Sequence, residues 1–415
     1  MTLFDRRDLR VNISRMKKNI LDLASIGATP HGGVSRLALT NEDKIARQTL
    51  VSWMKETGLE VIVDQMGNMR GRHEGKNPSL PPIVIGSHID TQPFGGKFDG
   101  AYGVLGALEV LRTIAENKTM TTRSIEIFAW TNEEGTRFQP AMMGSGVFAG
   151  IIDLQAAYKS EDKHGKRFGE ELEGIGFKGE IVCQPRKLHA YLELHIEQGP
   201  ILEKQHVQIG VVQGIVGIAW LMVTVKGEPN HSGSTPMDSR KDALVVAANA
   251  VRMVRNAPLK IKGLAATVGS FDVYPNSINI IPGKVVFTID FRCFNDERLD
   301  DAITVAKEEI MSMATQEKCE ASIELLERFH HVDFAKKTVR VVEKSASKLG
   351  LRYSPIISGA GHDAQCLNKI CDTAMIFVPS RRGRSHCEDE DTDWEDLESG
   401  ANVLLESTLT LANET

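Results

Sequence analysis

No apolar run in this 415-residue chain reaches membrane-spanning length. The N-terminal stretch, MTLFDRRDLRVNISRMKKN, is charged and lacks an apolar signal core. Both absences point away from a helical membrane protein and give a cytoplasmic expectation. Cysteine is scarce: Cys183, Cys293, Cys319, Cys366, Cys371 and Cys387, none of them in a CxxC pair. Cys366 and Cys371 are too isolated to make half of a zinc ribbon, which leaves free thiols in a reducing compartment as the expectation. There is no excess of basic charge, with 49 Lys and Arg against 55 Asp and Glu for a net charge of −6. A sequence-independent nucleic-acid binder would need a basic face. Repeats, low-complexity tracts and long linkers are missing too.

What the chain does have is helix and strand patterns in alternation. TNEDKIARQTLVSWMKETG opens with a capping-box pattern at Thr40 and Asp43 and predicts a helix ending near Gly58. PPIVIGSHID contains a buried-type strand at Ile83–Ile85. SIEIFAW alternates, with Ile125, Ile127 and Ala129 on one face, and runs straight into TNEEG. AYLELHIEQG sets Leu192 and Leu194 opposite Glu193 and His195.

The middle of the chain has its own order. WLMVTVKG, ATVGSFDV, KVVFTIDFRC and EASIELLE read as strands. SRKDALVVAANAVRMV is a helix with Leu244, Ala247, Val251 and Val254 inward, and DERLDDAITVAKEEIMSMA one with Leu299, Ile303, Ala306 and Ile310 inward. The sum is β-α-β-β-α-β, the split βαβ pattern of a ferredoxin-like unit. It predicts an inserted α+β domain over residues 214–329, set into a larger α/β domain of residues 1–213 and 330–415. After it come a helix to about Leu349, the strand TAMIFVPS and a last helix from a capping box at Thr392 and Glu395. In open α/β sheets ligands gather at the carboxyl ends of strands. SHID, NEEG and SRRGRSH all follow strand patterns.

Five residues there make a metal constellation: His88, Asp99, Glu134, His195 and His386. Imidazoles and carboxylates are ligands suited to zinc, manganese or cobalt. Five are too many for one catalytic zinc with an open position, but they suit two ions if a carboxylate bridges. Asp90 lies two residues beyond His88, where it could orient the imidazole. In TNEEG two acids are adjacent at a strand end; Glu134 is read as the ligand and Glu133 as the proton-transfer group. Blander readings exist for each: a structural histidine, Asp99 as an N-cap, a solvated glutamate pair. The coincidence of all these residues at strand ends favours chemistry.

Eight motifs, in order, carry a family resemblance: GSHIDTQPFGGKFDG, TNEEGTRFQPAMMGSGVFAG, ELHIEQGPILE, NHSGSTPMDSRKDAL, NSINIIPG, TIDFRC, SGAGHDA and SRRGRSH. Together the chain resembles the hydantoinase/carbamoylase family of di-zinc amidohydrolases from about residue 20 to 410. That family includes N-carbamoyl-L-amino-acid hydrolases, β-ureidopropionase and allantoate amidohydrolase, and is related to aminoacylases. The resemblance implies a di-zinc peptidase-like α/β catalytic domain with the inserted unit as dimerisation element and lid. It implies two divalent ions per chain, zinc before manganese, cobalt or nickel. His88, Asp99 and His195 would hold one; Asp99, Glu134 and His386 the other, with Asp99 the bridge and Glu133 the general base.

The implied substrate contacts are Gln198 for a ureido group, His231, Asn279 and Arg292 from the inserted unit, and the Gly359–Ala360–Gly361 turn supported by His362. His231 would also steady the oxyanion. Arg292 offers a rigid fork for a carboxylate, although Asp290 shares its strand face. His330–His331 and Cys387 read as structural. The expected activity is hydrolysis of the ureido C–N bond of an N-carbamoyl amino acid, L-α or β. Allantoate hydrolysis, an aminoacylase or dipeptidase, and a non-catalytic binding protein are the alternatives. The expected assembly is a homodimer through residues 214–329, in which His231, and with it Asn279, reaches the partner's site. One departure stands out: the family usually has a small or polar residue and then proline after the last histidine, where this chain has Cys387 and Glu388.

Overall fold

The computed structural model describes residues 9–414, so the first eight residues of the charged N-terminal stretch lie outside the described residues. The chain divides into two compact units: one built from the chain up to Gly214 together with Asp333 onward, the other spanning Ile215–Val332.

The larger unit is a mixed sheet with helices packed on it. Its strands are β1 (Glu60–Val63), β2 (Met69–His73), β3 (Ile83–His88), β4 (Ile125–Trp130), β5 (Ala190–Ile196) and β6 (Ile209–Ile215). Later come β11 (Val332–Asp333), β12 (Tyr353–Ser358) and β13 (Asp372–Val378), after the four strands of the other unit, β7 (Gly217–Lys226), β8 (Ala265–Tyr274), β9 (Lys284–Cys293) and β10 (Glu320–Phe329). The order across the large sheet is β1-β2-β4-β3-β5-β13-β6-β11, with β12 paired to β6. The helices are α1 (Ile13–Ala24), α2 (Asn41–Glu56), α3 (Ala101–Glu116), α4 (Met143–Phe148), α5 (Leu154–Lys159), α6 (Phe168–Gly174) and α7 (Ile201–Gln205). They continue as α8 (Ala243–Lys260), α9 (Asp296–Gln316), α10 (Lys336–Lys348), α11 (Asp363–Leu367) and α12 (Trp394–Ala412).

The central strands β4, β3, β5 and β13 run parallel. Parallel strands covered on both faces should be apolar throughout. IVIGSH meets that rule, but β4 and β5 alternate in sequence and are nevertheless buried at every position. Their polar residues are paired rather than solvated. Glu126 makes ion pairs with Arg72 and Arg186. Glu193 accepts from the Ser87 hydroxyl at 2.6 Å, the Tyr191 hydroxyl at 3.2 Å and the Ala364 amide at 2.9 Å. A buried carboxylate so satisfied is tolerated where a bare one would not be.

Helix α2 starts where the capping pattern places it, with the Thr40 hydroxyl accepting from the Asp43 amide. Helix α12 departs from the expected box at Thr392 and Glu395. It begins at Trp394 after Asp393 and has no side-chain cap, and Asp393 instead pairs with Arg381.

In the smaller unit the strands order as β10-β7-β9-β8, all antiparallel, with α8 and α9 in one core with them. This is the split βαβ arrangement read from the sequence. The α9 residues Leu299, Ile303, Ala306 and Ile310 are all buried. On α8 the inward face is rotated from the expected one: Ala243, Val246, Ala247, Ala250 and Val254 are buried, while Leu244 and Val251 are only half-buried. Small alanines let the helix approach the sheet, so the bulkier Leu244 sits to the side. No described helix is long and apolar enough to cross a membrane.

Candidate metal centre

Strand β3 ends on His88 and β5 carries His195 next to its last residue, Ile196, and the segments beyond β4 and β13 bring Glu133, Glu134 and His386 to the same edge. The described chain holds two groups of side chains whose ligand atoms lie within 4.8 Å of one another: His88, Asp99 and His195, and Asp99, Glu134 and His386. Asp99 belongs to both. Its Oδ1 is 3.6 Å from His88 Nε2 and 3.1 Å from His195 Nε2, and its Oδ2 is 3.2 Å from His386 Nε2. Glu134 Oε2 stands 3.6 Å from His386 Nε2 and accepts from the Gln92 amide, while Glu134 Oε1 is buried without a hydrogen-bond partner. The donor set, and a buried carboxylate oxygen left unpaired, fit a divalent cation.

Backbone geometry makes the approach of these groups feasible. Gly100, at φ +62°, precedes α3, and a Cβ there would meet the His88 ring at 2.3 Å. Asp99 is therefore not the helix cap; its carboxylate is left for the histidines. Asn132, next to Glu133, Gln198, whose side chain meets Asp99, and the candidate ligand His386 all take positive φ. Strain of this kind persists only where surrounding contacts enforce it.

The imidazoles are oriented by carbonyls. His88 Nδ1 faces the Asp90 carbonyl at 2.9 Å, and His195 Nδ1 the Ile196 carbonyl at 2.8 Å, leaving Nε2 toward Asp99 in both. The expectation that the Asp90 carboxylate orients His88 is thus corrected: it stands 3.8 Å from Nδ1 and accepts from the amides of Glu133 and Glu134 instead. A short loop places its carbonyl, not its side chain, against the ring.

Glu133 Oε2 lies 3.4 Å from His88 Nε2 and is nearly buried. Burial drives its pKa well above the usual carboxylate range, partly offset by His88. Burial also raises Glu134, with Asp99 adding repulsion, to about 7. Asp99 moves the other way: burial works to raise it, but hydrogen bonds from His195, His386 and His88 hold it well below its usual value. For His386, burial is outweighed by Asp99 and Glu134, giving about 9. A cation bound here would compete with these protons, because ligands must be deprotonated.

Gln198 Nε2 is 2.8 Å from Asp99 Oδ2 and 3.3 Å from His386 Nε2, and its Oε1 is buried without a partner. Among the turn residues, Ala360 donates its amide to Ser358 Oγ at 3.2 Å, and His362 Nε2 lies 3.1 Å from that same oxygen. His362 thus braces the Gly359–Ala360–Gly361 turn through one hydroxyl.

Two residues that sequence reasoning did not single out, Glu390 and Ser385, hold the candidate ligands in place. Glu390 is buried, and its Oε1 accepts from the amides of Phe98 and Asp99 at 3.0 and 3.1 Å. Its Oε2 accepts from the Ser385 hydroxyl at 2.7 Å, which also lies 3.1 Å from Asp99 Oδ2. One carboxylate therefore ties the Asp99 segment to the His386 segment. The unusual loop after His386 is anchored as well, by Glu388 on Thr29 and Asp389 on Arg384. The only hint in the sequence was an acid four residues after His386, hidden in the run CEDEDTD.

The remaining named residues belong to the smaller unit. His231 Nδ1 accepts from the amides of Gly233 and Ser234 at 3.1 and 3.0 Å. That assigns the proton of the neutral ring to Nε2, leaving a donor at the exposed edge. The Asn279 carbonyl accepts from the Ser232 amide at 3.1 Å, so these two segments lie side by side. Arg292 forks onto Asp290, with Nη2 2.9 Å from Oδ2. His330 and His331 both pair with Asp296.

Comparison with known proteins places the chain in a family. Residues 84–409 match peptidase family M20/M25/M40. An N-carbamoyl-L-amino-acid amidohydrolase of Rhizobium meliloti is 43% identical over 97% of each chain. An amidase of the hydantoinase/carbamoylase family from Burkholderia multivorans superposes with a TM-score of 0.92 at 45% identity, covering 98% of this chain and 99% of that one. Further off, ureidoglycolate hydrolase of Arabidopsis thaliana is 33% identical over 97% of this chain and 87% of its own length. The chain belongs to peptidase family M20/M25/M40 and, within it, to the hydantoinase/carbamoylase amidases.

Proposed function

We propose that this protein hydrolyses the ureido C–N bond of N-carbamoyl-L-amino acids, giving the free amino acid, ammonia and carbon dioxide. The observation that carries the reading is the pair of three-residue groups sharing Asp99, with Glu133 set against His88 beside them. The names of relatives such as the N-carbamoyl-L-amino-acid amidohydrolases favour an L-α substrate over a β-ureido acid or allantoate. Ammonia release tests it, using N-carbamoyl-L- and D-amino acids, N-carbamoyl-β-alanine, allantoate and N-acetyl amino acids. Turnover of N-acetyl substrates alone would make the protein an aminoacylase, and turnover of none would leave a binding protein.

His88, Asp99 and His195 would hold one divalent ion and Asp99, Glu134 and His386 a second, zinc before manganese, cobalt or nickel. When bound, such ions polarise a carbonyl and acidify water. Glu133 takes the proton of the attacking water and delivers it to the leaving nitrogen. Gln198 reads the ureido group, with its unpaired Oε1 as the acceptor for a ureido N–H. The Nε2–H of His231 donates to the developing oxyanion. Asn279, Arg292 and the backbone of the Gly359–Ala360–Gly361 turn hold the carboxylate. A cytoplasmic setting is consistent with six free cysteines.

Arg292→Ala is expected to raise KM for carboxylate substrates by tens- to thousands-fold, since leaving a desolvated charge unpaired costs about 2–5 kcal/mol. Substrates amidated at the carboxylate should be poor for the parent protein and little changed by the mutation. Equal losses on both would mean that Arg292 serves only Asp290.

We also propose a homodimer joined through the Ile215–Val332 unit. Its outer strands carry exposed apolar residues, Phe271 and Tyr274 on β8 and Leu325 and Leu326 on β10, that a second copy would cover. Mixing inactive Glu133→Gln with inactive His231→Ala under subunit exchange should restore about a quarter of the activity if His231 serves the partner subunit. No recovery would place both residues in one chain's site, and a monomer in sedimentation would remove the dimer.

A further inference from the structure

Away from the metal ligands, the outer side of the β1-β2-β4 strands contains a cavity of about 130 Å³. It is lined by Ile62, Phe128, Phe148, Ile181, Val182, Arg70 and Arg186, together with Asp64, Asn68 and Gln184. Three guanidinium groups here share one carboxylate. Glu126, fully buried, pairs with Arg186 through Oε2 and with Arg72 through Oε1 at 2.8 Å. Arg70 reaches that same Oε1 only at 3.7 Å. Its side chain is 19% exposed, and its Nε is shut off from solvent with no hydrogen-bond partner. Burial, with Arg186 and Arg72 adding repulsion, outweighs Glu126 and Glu60 and lowers the Arg70 pKa.

An arginine whose Nε is buried without a partner, and whose carboxylate stands no nearer than 3.7 Å, has room for a better acceptor, because unmet charged donors are costly and are normally satisfied. The other carboxylate at the cavity cannot serve. Asp64 already accepts from the amides of Met66 and Asn68 and from the Asn68 side chain. Apart from Asn68 and Gln184, the rest of the wall is apolar. Arg186 lies over the rings of Phe128 and Phe148, 5.9 and 5.7 Å from their centroids, and the rim residues Ile181 and Val182 are 50% and 56% exposed. A planar guanidinium fork matches a carboxylate with two parallel hydrogen bonds. The volume is of the order of the roughly 150 Å³ that accommodates benzene, so it suits an apolar body no larger than one ring.

We propose that this cavity is a second binding site, for small carboxylates bearing a ring-sized apolar group. The carboxylate sits on Arg70 and Arg186, and the apolar body lies against Phe128, Phe148 and the Ile181–Val182 rim. The cavity wall is also tied to the metal-bearing edge. Asn68 accepts from the Thr131 amide at 3.0 Å, two residues before Glu133, and donates to the Gly144 carbonyl at 3.1 Å.

Calorimetric titration of the metal-loaded protein with benzoate tests the site, with benzamide and inorganic phosphate as controls. Saturable benzoate binding is expected that survives Glu133→Gln and Arg292→Ala, while both controls bind at least about tenfold more weakly, in line with a hydrogen bond to a charged group. Arg70→Met and Val182→Asp should each weaken benzoate at least about tenfold. Val182 is an exposed rim residue, so its variant still reads the site if the Arg70 change disturbs folding. Absence of saturable binding overturns the proposal, as does binding indifferent to both variants. Binding lost in Arg292→Ala assigns the anion elsewhere, and equal binding of benzamide or phosphate removes the carboxylate or the apolar body from the description.

Discussion

Glu133→Gln should keep the fold and the metal content of the parent protein and lose about 10²–10⁴ in kcat, the usual share of a positioned general base. The amide is nearly isosteric, and Glu133 is not among the residues of either candidate metal-holding group. Its carboxylate faces His88 Nε2 at 3.4 Å, and its amide nitrogen is fixed by Asp90. The substitution therefore removes a proton acceptor without removing a ligand. Metal analysis and single-turnover kinetics on both glutamate variants decide the roles. Should Glu133→Gln shed an ion while Glu134→Gln keeps both, the two roles are exchanged.

Much of this arrangement is legible in the sequence because the fold turns strand ends into an address. A buried strand that runs into a polar motif can be read locally: His88 and His195 lie at the far ends of two such strands, and Glu134 follows a third. The inserted unit is legible for a similar reason: its helices and strands carry clean periodicities, and the order β-α-β-β-α-β allows few topologies. Local patterns fail where a long-range contact decides. Glu126 and Glu193 alternate with apolar residues as solvent-facing groups would, yet both are buried, because Arg72 and Arg186 in one case and Ser87, Tyr191 and Ala364 in the other come from distant segments. The α8 face is rotated because small residues let the helix approach closely, a packing choice that hydrophobic periodicity alone does not weigh.

Glu390 shows the limit most clearly. In sequence it is one acid in an acidic run, for which solvation is the default. In the fold it lies under Phe98 and Asp99, almost three hundred residues away, and no local signal could announce that pairing. The Asp90 carboxylate is the smaller version of the same lesson. The spacing places it near His88, but whether the carbonyl or the side chain meets the ring depends on the turn.

Asp99→Ala should lose more metal than any single histidine variant. Each imidazole serves one of the two groups, whereas Asp99 serves both: Oδ1 faces His88 and His195, and Oδ2 faces His386. Removing it takes a donor from each ion at once. It also takes away the charge that offsets repulsion between neighbouring cations about 3.5–4 Å apart. Activity should fall with the metal. Glu390→Ala provides the graded comparison. It leaves every ligand in the chain but releases the Phe98–Asp99 amides and the Ser385 hydroxyl, and losses of such supporting contacts typically weaken metal binding about 10–100-fold. The expected order of metal content after dialysis is therefore parent, then Glu390→Ala or a single histidine variant, then Asp99→Ala. Thermal unfolding of the metal-free forms separates this from a general loss of structure. Full metal content in folded Asp99→Ala would remove the carboxylate bridge and leave the five residues without the shared ligand that two ions require.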